Sequence, residues 1–207
     1  MPNPAPRLFH NLPQTLILAS ASPRRRELLA SLGLEFSVVP SRAEETPLDD
    51  EPPRAHVLRL SHDKALEVAR RDEVAGRWFL GSDTIVVQDG QLLGKPADDA
   101  QAADMLRALQ GRRHEVYSGF AVHDRHTGQT LCESQCTRVR FRELTAVEIA
   151  GYIATGEPRD KAGAYAIQGL GAYLVRDIEG SYTNVVGLPL SEVVDVLLTL
   201  GAIVPAA

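Results

Sequence analysis

The stretch WFLGSDTIVVQDGQLLGK, Trp78 to Lys95, is the part of the chain on which the fold turns. Trp78 to Val87 is an apolar run holding one carboxylate, Asp83, and reads as a strand. Asp89-Gly90 is a two-residue hairpin signal, with Leu92 to Lys95 as the return strand. Across such a turn the paired residue numbers keep a constant sum, so Gln88 faces Gln91 and Thr84 faces Lys95. Upstream, Thr15 to Ala19 reads as a strand. A helix follows with Ser22 as N-cap, Pro23 at its first position and Gly33 as its stop. Glu35 to Val39 is a further strand, Pro40 to Pro53 an acidic loop, and Arg54 to Arg70 a helix with Val57, Leu60, Ala65 and Val68 on one side. Downstream, Asp98 with Gln101 and Thr145 with Glu148 read as capping boxes of two more helices. Glu115 to His123 and Thr130 to Arg142 alternate as strands around Gly128, and Ala172 to Ile178 is a last strand. Leu190 to Leu198 fits a helix stopped at Gly201. Strands and helices alternate, which predicts an α/β protein.

Nothing divides the chain cleanly, so residues 15–207 read as a single bilobed domain preceded by a loose tail over residues 1–14. A net charge of −5 argues against a nucleic-acid partner. No apolar run approaches the roughly 20 residues of a membrane span, and the proline-bearing start lacks a signal peptide's apolar core. The expectation is a cytoplasmic protein with no membrane partner. Cys132 and Cys136 fall on one face of a strand, too far apart along it to bond, and read as reduced thiols. None of the six histidines stands at metal-ligand spacing.

Chemistry could sit at six places. Ser20-Ala21-Ser22-Pro23-Arg24-Arg25-Arg26 spans a strand-to-helix junction, where free N–H groups and guanidinium groups suit phosphate; a capped helix with solvent-facing arginines fits the same residues. Asp83, inside an apolar strand, is a metal ligand, a general base, or a structural carboxylate bonded to backbone. Strict alternation puts Lys95 on the face of Thr84 rather than Asp83, and only a bulge or the reach of its side chain brings the three together. Lys64 lies in the apolar stripe of its helix and must snorkel out or meet an anion, snorkelling being the commoner outcome. Glu44-Glu45 offers oxygen ligands to a hard cation, although composition favours a solvated loop. Lys161 to Gly171 is a glycine-rich loop in which Gln168 carries a donor and an acceptor suited to a base edge.

Taken in order, these motifs resemble the Maf family of nucleotide pyrophosphatases. The matching pieces are Ser20 to Arg25, Glu44-Glu45, Lys64, Gly81-Ser82-Asp83-Thr84 with Gly94-Lys95-Pro96, Asp160 to Tyr165 through Gln168-Gly169, and Gly180 to Leu190. The resemblance implies an elongated mixed β-sheet flanked by helices with a central cleft between two lobes, as in the wider Maf and ITPase-like group. It implies cleavage between the α and β phosphates of a nucleoside triphosphate with Mg²⁺ or Mn²⁺, and suggests a homodimer. Asp83 would activate water and touch the metal, and Glu45 would help hold it. Ser22, Arg24, Arg25, Lys64 and Lys95 would hold phosphates, with Lys95 counted among the catalytic set. Arg24, Thr84 and Gln168 look like specificity positions, and the threonine and glutamine resemble the dTTP/UTP subgroup. Ser82 departs from the family's common alanine. The alternatives are a Maf-like enzyme for other or modified nucleotides and a nucleotide-binding regulator of cell division.

Overall fold

A computed structural model describes residues 8–11 and 15–206. Its centre is the long strand β4 (Trp78–Gln88), flanked on one edge along its length by β6 (Arg113–Asp124). The sheet continues through β7 (Thr130–Phe141) to β8 (Val175–Glu179), all antiparallel. On the other side of β4, β2 (Leu16–Leu18) pairs in parallel with Trp78–Leu80, and β3 (Phe36–Val38) pairs in parallel with β2. The short β5 (Gln91–Leu93) pairs with Val86–Gln88, giving a seven-stranded mixed sheet. Helices cover both faces, so the architecture is mixed α/β as expected. No helix among the described residues is long and apolar enough to cross a membrane.

The hairpin register follows the constant-sum rule at Gln88–Gln91, Val87–Leu92 and Val86–Leu93 and then stops. The expected pairing of Thr84 with Lys95 does not form. Gly94 leaves the strand, and its carbonyl accepts the N–H of Gly163 at 3.1 Å.

Local signals place the helices well. Helix α1 (Pro23–Ala30) is capped by Ser22, α3 (Asp99–Leu109) by Asp98, and α4 (Ala146–Ala154) by the full Thr145–Glu148 box. At α3 the box is half formed, because Gln101 accepts from the N–H of Ala97 instead of Asp98. Helix α6 (Leu190–Thr199) ends just before Gly201, which takes φ +65°. The five-residue helix α5 (Tyr182–Val186), capped by Ser181, is too short to show helical periodicity. The strand expected from Ala172 begins at Val175, because Gly169–Leu174 coils into a 3₁₀ turn whose N–H groups bond a carboxylate.

Part of the expected tail is structured. Phe9–Asn11 forms β1, antiparallel to β9 (Ile203–Pro205), and the Asn11 amide exchanges two 2.9 Å bonds with the backbone of Glu35. A three-residue strand whose partner lies at the far end of the chain leaves no local pattern to read. The rest of the tail expectation, residues 1–7 and 12–14, lies outside the described residues.

Helix α2 (Pro53–Ala69) lies on β4 and β6 over two glycines. A Cβ at Gly81 would stand 2.2 Å from the Ser61 carbonyl oxygen, and one at Gly119 would stand 2.5 Å from that of Val57. The helix backbone therefore rests on bare strand backbone. Gly119→Ala is expected to lower the unfolding free energy by about 1–3 kcal/mol, the range for overpacking. Gly151 in α4 has nothing within 4 Å of its would-be Cβ. Gly151→Ala is expected to raise stability by about 0.5–1 kcal/mol. Urea midpoints check both; matching midpoints would mean the close approach constrains nothing.

Candidate active site

Between Leu80 and Val86, the edge of β4 away from β6 has no neighbouring strand, because β2 has ended and β5 has not begun. The chain leaves β2 through Ser20–Ser22 into α1, and a cleft opens there. Its volume of about 350 Å³ lies at the small end of the roughly 300–1,000 Å³ of ligand pockets. Ser22, Arg24, Arg25, Glu45, Lys64, Asp83, Thr84, Lys95 and Gln168 all line it, whereas Arg26 and Glu44 do not.

The acidic side of the cleft is built on α2. With the helix seated on Gly81 and Gly119, Lys64 is carried over Asp83, and its Nζ lies 2.7 Å from Asp83 Oδ1. The same ammonium lies 2.6 Å from Glu45 Oε1. Lys64 and Asp83 are buried, whereas Glu45 is mostly exposed. The rarer of the two expectations for Lys64 is the one realised: it meets anions. The partner of Asp83 is thus Lys64 and not Lys95, which sits exposed on the cleft lining.

The basic side is the start of α1. Ser22 Oγ accepts the N–H of Arg25 at 3.4 Å, and the N–H of Ser22 donates to Ser20 Oγ at 3.2 Å. Arg24 lines the cleft and makes no hydrogen bond or ion pair with a described residue. Arg25 is different. Its Nε donates to the Gly187 carbonyl at 2.8 Å, Nη1 to the Ser82 carbonyl at 2.8 Å and Nη2 to Thr84 Oγ1 at 3.0 Å. The Leu80 carbonyl accepts from Ala19 on the open edge, so by alternation the Ser82 carbonyl points to that edge as well. The guanidinium bonds an acceptor that has no strand beside it. Burial pushes its pKa down from the usual arginine value, with Asp83 opposing.

A polar seam backs this wall. Ser118 Oγ donates to the Asn184 carbonyl at 2.8 Å and meets Thr84 Oγ1 at 2.8 Å, while Asn184 Nδ2 donates to Val116 O and Thr137 Oγ1. Ser82 Oγ donates to Gly119 O at 2.8 Å. The opposite lip is the loop from Asp160 to Gln168, in which Gln168 is half-buried.

A family model described as Maf-like protein matches residues 15–200. The chain belongs to this family. Among its Maf relatives, a dTTP/UTP pyrophosphatase of Syntrophotalea carbinolica is 60% identical over 198 residues, covering 94% of this chain and 90% of that one. One from Geobacter sulfurreducens is 55% identical over 188 residues, covering 91% and 97%. One from Moorella thermoacetica is 52% identical over 186 residues, covering 90% and 95%. A crystal structure of a nucleoside-triphosphatase / dITP/XTP pyrophosphatase from Mycobacterium abscessus covers 90% of this chain and 94% of that one, with a TM-score of 0.42 at 15% identity.

Sequence reasoning named the loop that holds Lys161 and Tyr165 but gave neither residue a role, and it missed the contacts that hold the acidic loop. Lys161, paired with Asp160, and Tyr165, bonded through its hydroxyl to His114 Nε2 at 2.8 Å, both line this Maf cleft. The acidic loop is clamped at both ends to α2. Glu67 accepts from Ser41 Oγ and Arg42 N, each at 2.9 Å, and Glu51 receives Arg59 at 2.6 and 2.7 Å with His56 at 2.9 Å. These pairs hold the segment that presents Glu45 to Lys64; spacing could not show them, since the loop itself has no period.

Arg59's hydrogen bonds hold the Glu51 carboxyl down to about 2. A depressed carboxyl stabilises fully above the unfolded value of about 4.3, and that stability is lost as pH falls through about 2. Glu51→Gln is therefore expected to be less stable than wild type near neutral pH, with the gap closing as the medium is acidified through that window. Urea titrations across pH check this, and a gap independent of pH would exclude the linkage.

Proposed function

We propose that the chain hydrolyses the α–β phosphoanhydride of dTTP and UTP to the monophosphate and pyrophosphate with the help of a divalent metal, Mg²⁺ or Mn²⁺. The observation that carries this is the meeting, in one cleft, of a helix N-terminus and the cations Arg24, Lys64 and Lys95 with the carboxylates of Glu45 and Asp83. Relatives 52–60% identical over nine-tenths of the chain and named dTTP/UTP pyrophosphatase support the same reaction and bases.

In this reading Asp83 takes the proton of a water. The water oxygen bonds to the α phosphorus, the bond from that phosphorus to the α–β bridging oxygen breaks, and pyrophosphate leaves with the bridging oxygen. Arg24, through its guanidinium and its backbone N–H, and Lys95 bind the phosphate oxygens, where charge develops. Ser22 caps α1 by accepting the Arg25 N–H, and Arg25 fixes the wall behind it. The donor set fits a hard cation. Glu45 and Asp83 offer carboxylate oxygens to one point, now shared by the Lys64 ammonium. Among the described residues no three His, Cys, Asp or Glu gather into a cage, which suits an ion such as Mg²⁺ that takes one or two carboxylates and completes its shell with substrate phosphates and water. When bound, the metal supplies charge neutralisation at those phosphates. Gln168, which lines the cleft from the facing loop, carries the donor and acceptor that would read the base edge in this reading.

The purified protein should release pyrophosphate from dTTP and UTP, in preference to CTP, GTP and 7-methyl-GTP, with Mg²⁺ or Mn²⁺ and not with chelator. Orthophosphate as the product would put the cut at the terminal phosphate and overturn the reading. Asp83→Asn should lose roughly 10²–10⁴ in kcat, the range for a general base, and keep nucleotide binding within a few-fold; near-normal turnover would remove Asp83 from the base role. Gln168→Glu should change the ranking of the five nucleotides while leaving the metal requirement alone, and an unaltered ranking would mean that Gln168 does not read the base.

A further inference from the structure

The loop that carries Gln168 joins no strand ladder. On either side of Gln168 its backbone bonds run to two side chains that do not line the cleft, Glu157 and, on α4, Tyr152. Glu157, in the 3₁₀ turn Glu157–Asp160, accepts the Tyr152 hydroxyl at 2.8 Å and the Gly171 N–H at 2.8 Å on Oε1, and the Leu170 N–H at 3.0 Å on Oε2. The Tyr152 hydroxyl in turn accepts the N–H of Ala166 at 3.3 Å. One carboxylate and one phenol thus bind the backbone on both sides of Gln168, at residues 166, 170 and 171. The loop closes on them so tightly that side chains are excluded. A Cβ at Gly169 would stand 2.7 Å from Glu157 Oε2, and one at Gly171 would stand 2.5 Å from the Tyr152 hydroxyl oxygen and 2.4 Å from the Ala166 carbonyl. Gly169 also takes φ +68°, a conformation glycine adopts without strain.

We propose that Glu157, acting with Tyr152, is the positioning residue for base selection, fixing the 166–171 backbone so that the Gln168 amide meets the base edge at one height and angle. This rests on the reading of Gln168 given above. Charge-assisted bonds from a carboxylate to backbone N–H groups are the strong kind, and a three-donor carboxylate cannot be replaced by a carboxamide without turning an NH₂ towards a donor. The loop then samples several positions, and a base edge that is read by two hydrogen bonds is read poorly. Phosphate binding and water activation lie on α1, α2 and β4, away from the brace.

The test compares Glu157→Gln and Tyr152→Phe with wild type and with Gln168→Glu, measuring kcat and KM for dTTP, UTP and CTP with Mn²⁺, alongside thermal melting. For Glu157→Gln we expect KM for dTTP to rise about tenfold, the equivalent of one lost good hydrogen bond, with kcat within about threefold and the preference for dTTP over CTP reduced. Tyr152→Phe keeps the Glu157 bonds to Leu170 and Gly171 and should shift the preference in the same direction by less; it carries the test alone should Glu157→Gln fail to fold. The Mn²⁺ concentration for half-maximal rate should be unchanged in both. If Gln168→Glu alters the preference while both brace variants retain wild-type preference, or lose kcat for all three nucleotides alike, the positioning role is overturned. If Gln168→Glu itself changes nothing, it is the reading of Gln168 that fails.

Discussion

Helix α2 can reach the sheet only because Gly81 and Gly119 present no side chain. Antiparallel register sets Gly119 opposite Asp83, and Gly81 lies on the same face two residues before it. The floor on which α2 rests and the carboxylate beside it are thus one patch of β4 and β6. With the helix this close, Lys64 has a short straight path to Asp83. One turn further from the sheet, the lysine would extend to water, as its neighbours on the helix would lead one to expect. A buried carboxylate and a buried ammonium are each costly to desolvate, and together they are weak evidence for stability. What the pair secures is geometry. It fixes the direction in which Asp83 presents its oxygens, and it gives Glu45, on a loop with no regular structure, a cation to close upon.

The second consequence of the topology is a gap. A sheet edge left bare is usually a liability, answered by charge or by cover. Here the bare segment of β4 is short and is met by a single guanidinium, whose planar fork reaches the Ser82 carbonyl, the Thr84 hydroxyl and, on α5's far side, the Gly187 carbonyl. Arginine suits this because it stays charged even when burial lowers its affinity for protons. The result is a cleft whose back wall is β4, bonded to β6 along one edge and held at the Ser82 carbonyl by Arg25 on the other, and whose front carries the groups left free. Arg24 and Arg25, adjacent in sequence and alike in chemistry, therefore do different things: one is bonded into the wall and one faces the opening.

That division marks how far the sequence could be read. Capping residues, the Asp89-Gly90 turn and apolar periodicity are local, and they placed five helices and the central hairpin to within a few residues. The cleft-lining residues were legible as a set only because several motifs, each open to a plain structural reading by itself, follow in the order that resembles one family. What depends on contacts far apart in sequence was not. The pairing of β1 with β9 joins the two ends of the chain. Lys95 was assigned by extrapolating a register that Gly94 breaks for the sake of a bond to Gly163. Lys64 looked like a snorkelling lysine because the glycines that draw its helix inward belong to other elements. The strand expected at Ala172 yields to a 3₁₀ turn because Glu157, well upstream, offers the backbone a better acceptor than any strand edge.

Thr84 lines the cleft with its polar atom already engaged in the wall. Ser118 has one hydroxyl proton, and the Asn184 carbonyl, which can only accept, takes it. Thr84 Oγ1 meets Ser118 Oγ at 2.8 Å and the Gly187 carbonyl at 3.3 Å, and it accepts from Arg25 at 3.0 Å. Its one proton goes to the wall whichever of those two acceptors takes it, and one lone pair is filled by Arg25. The hydroxyl ties β4, β6, the end of α5 and Arg25 together at the point where the sheet loses its neighbour. Gln168, by contrast, brings an amide to the cleft that no side chain or backbone group of the described chain engages. Of the two positions, the loop glutamine is the one with hydrogen-bonding capacity still to give, whereas that of the threonine is engaged by Arg25, Ser118 and Gly187.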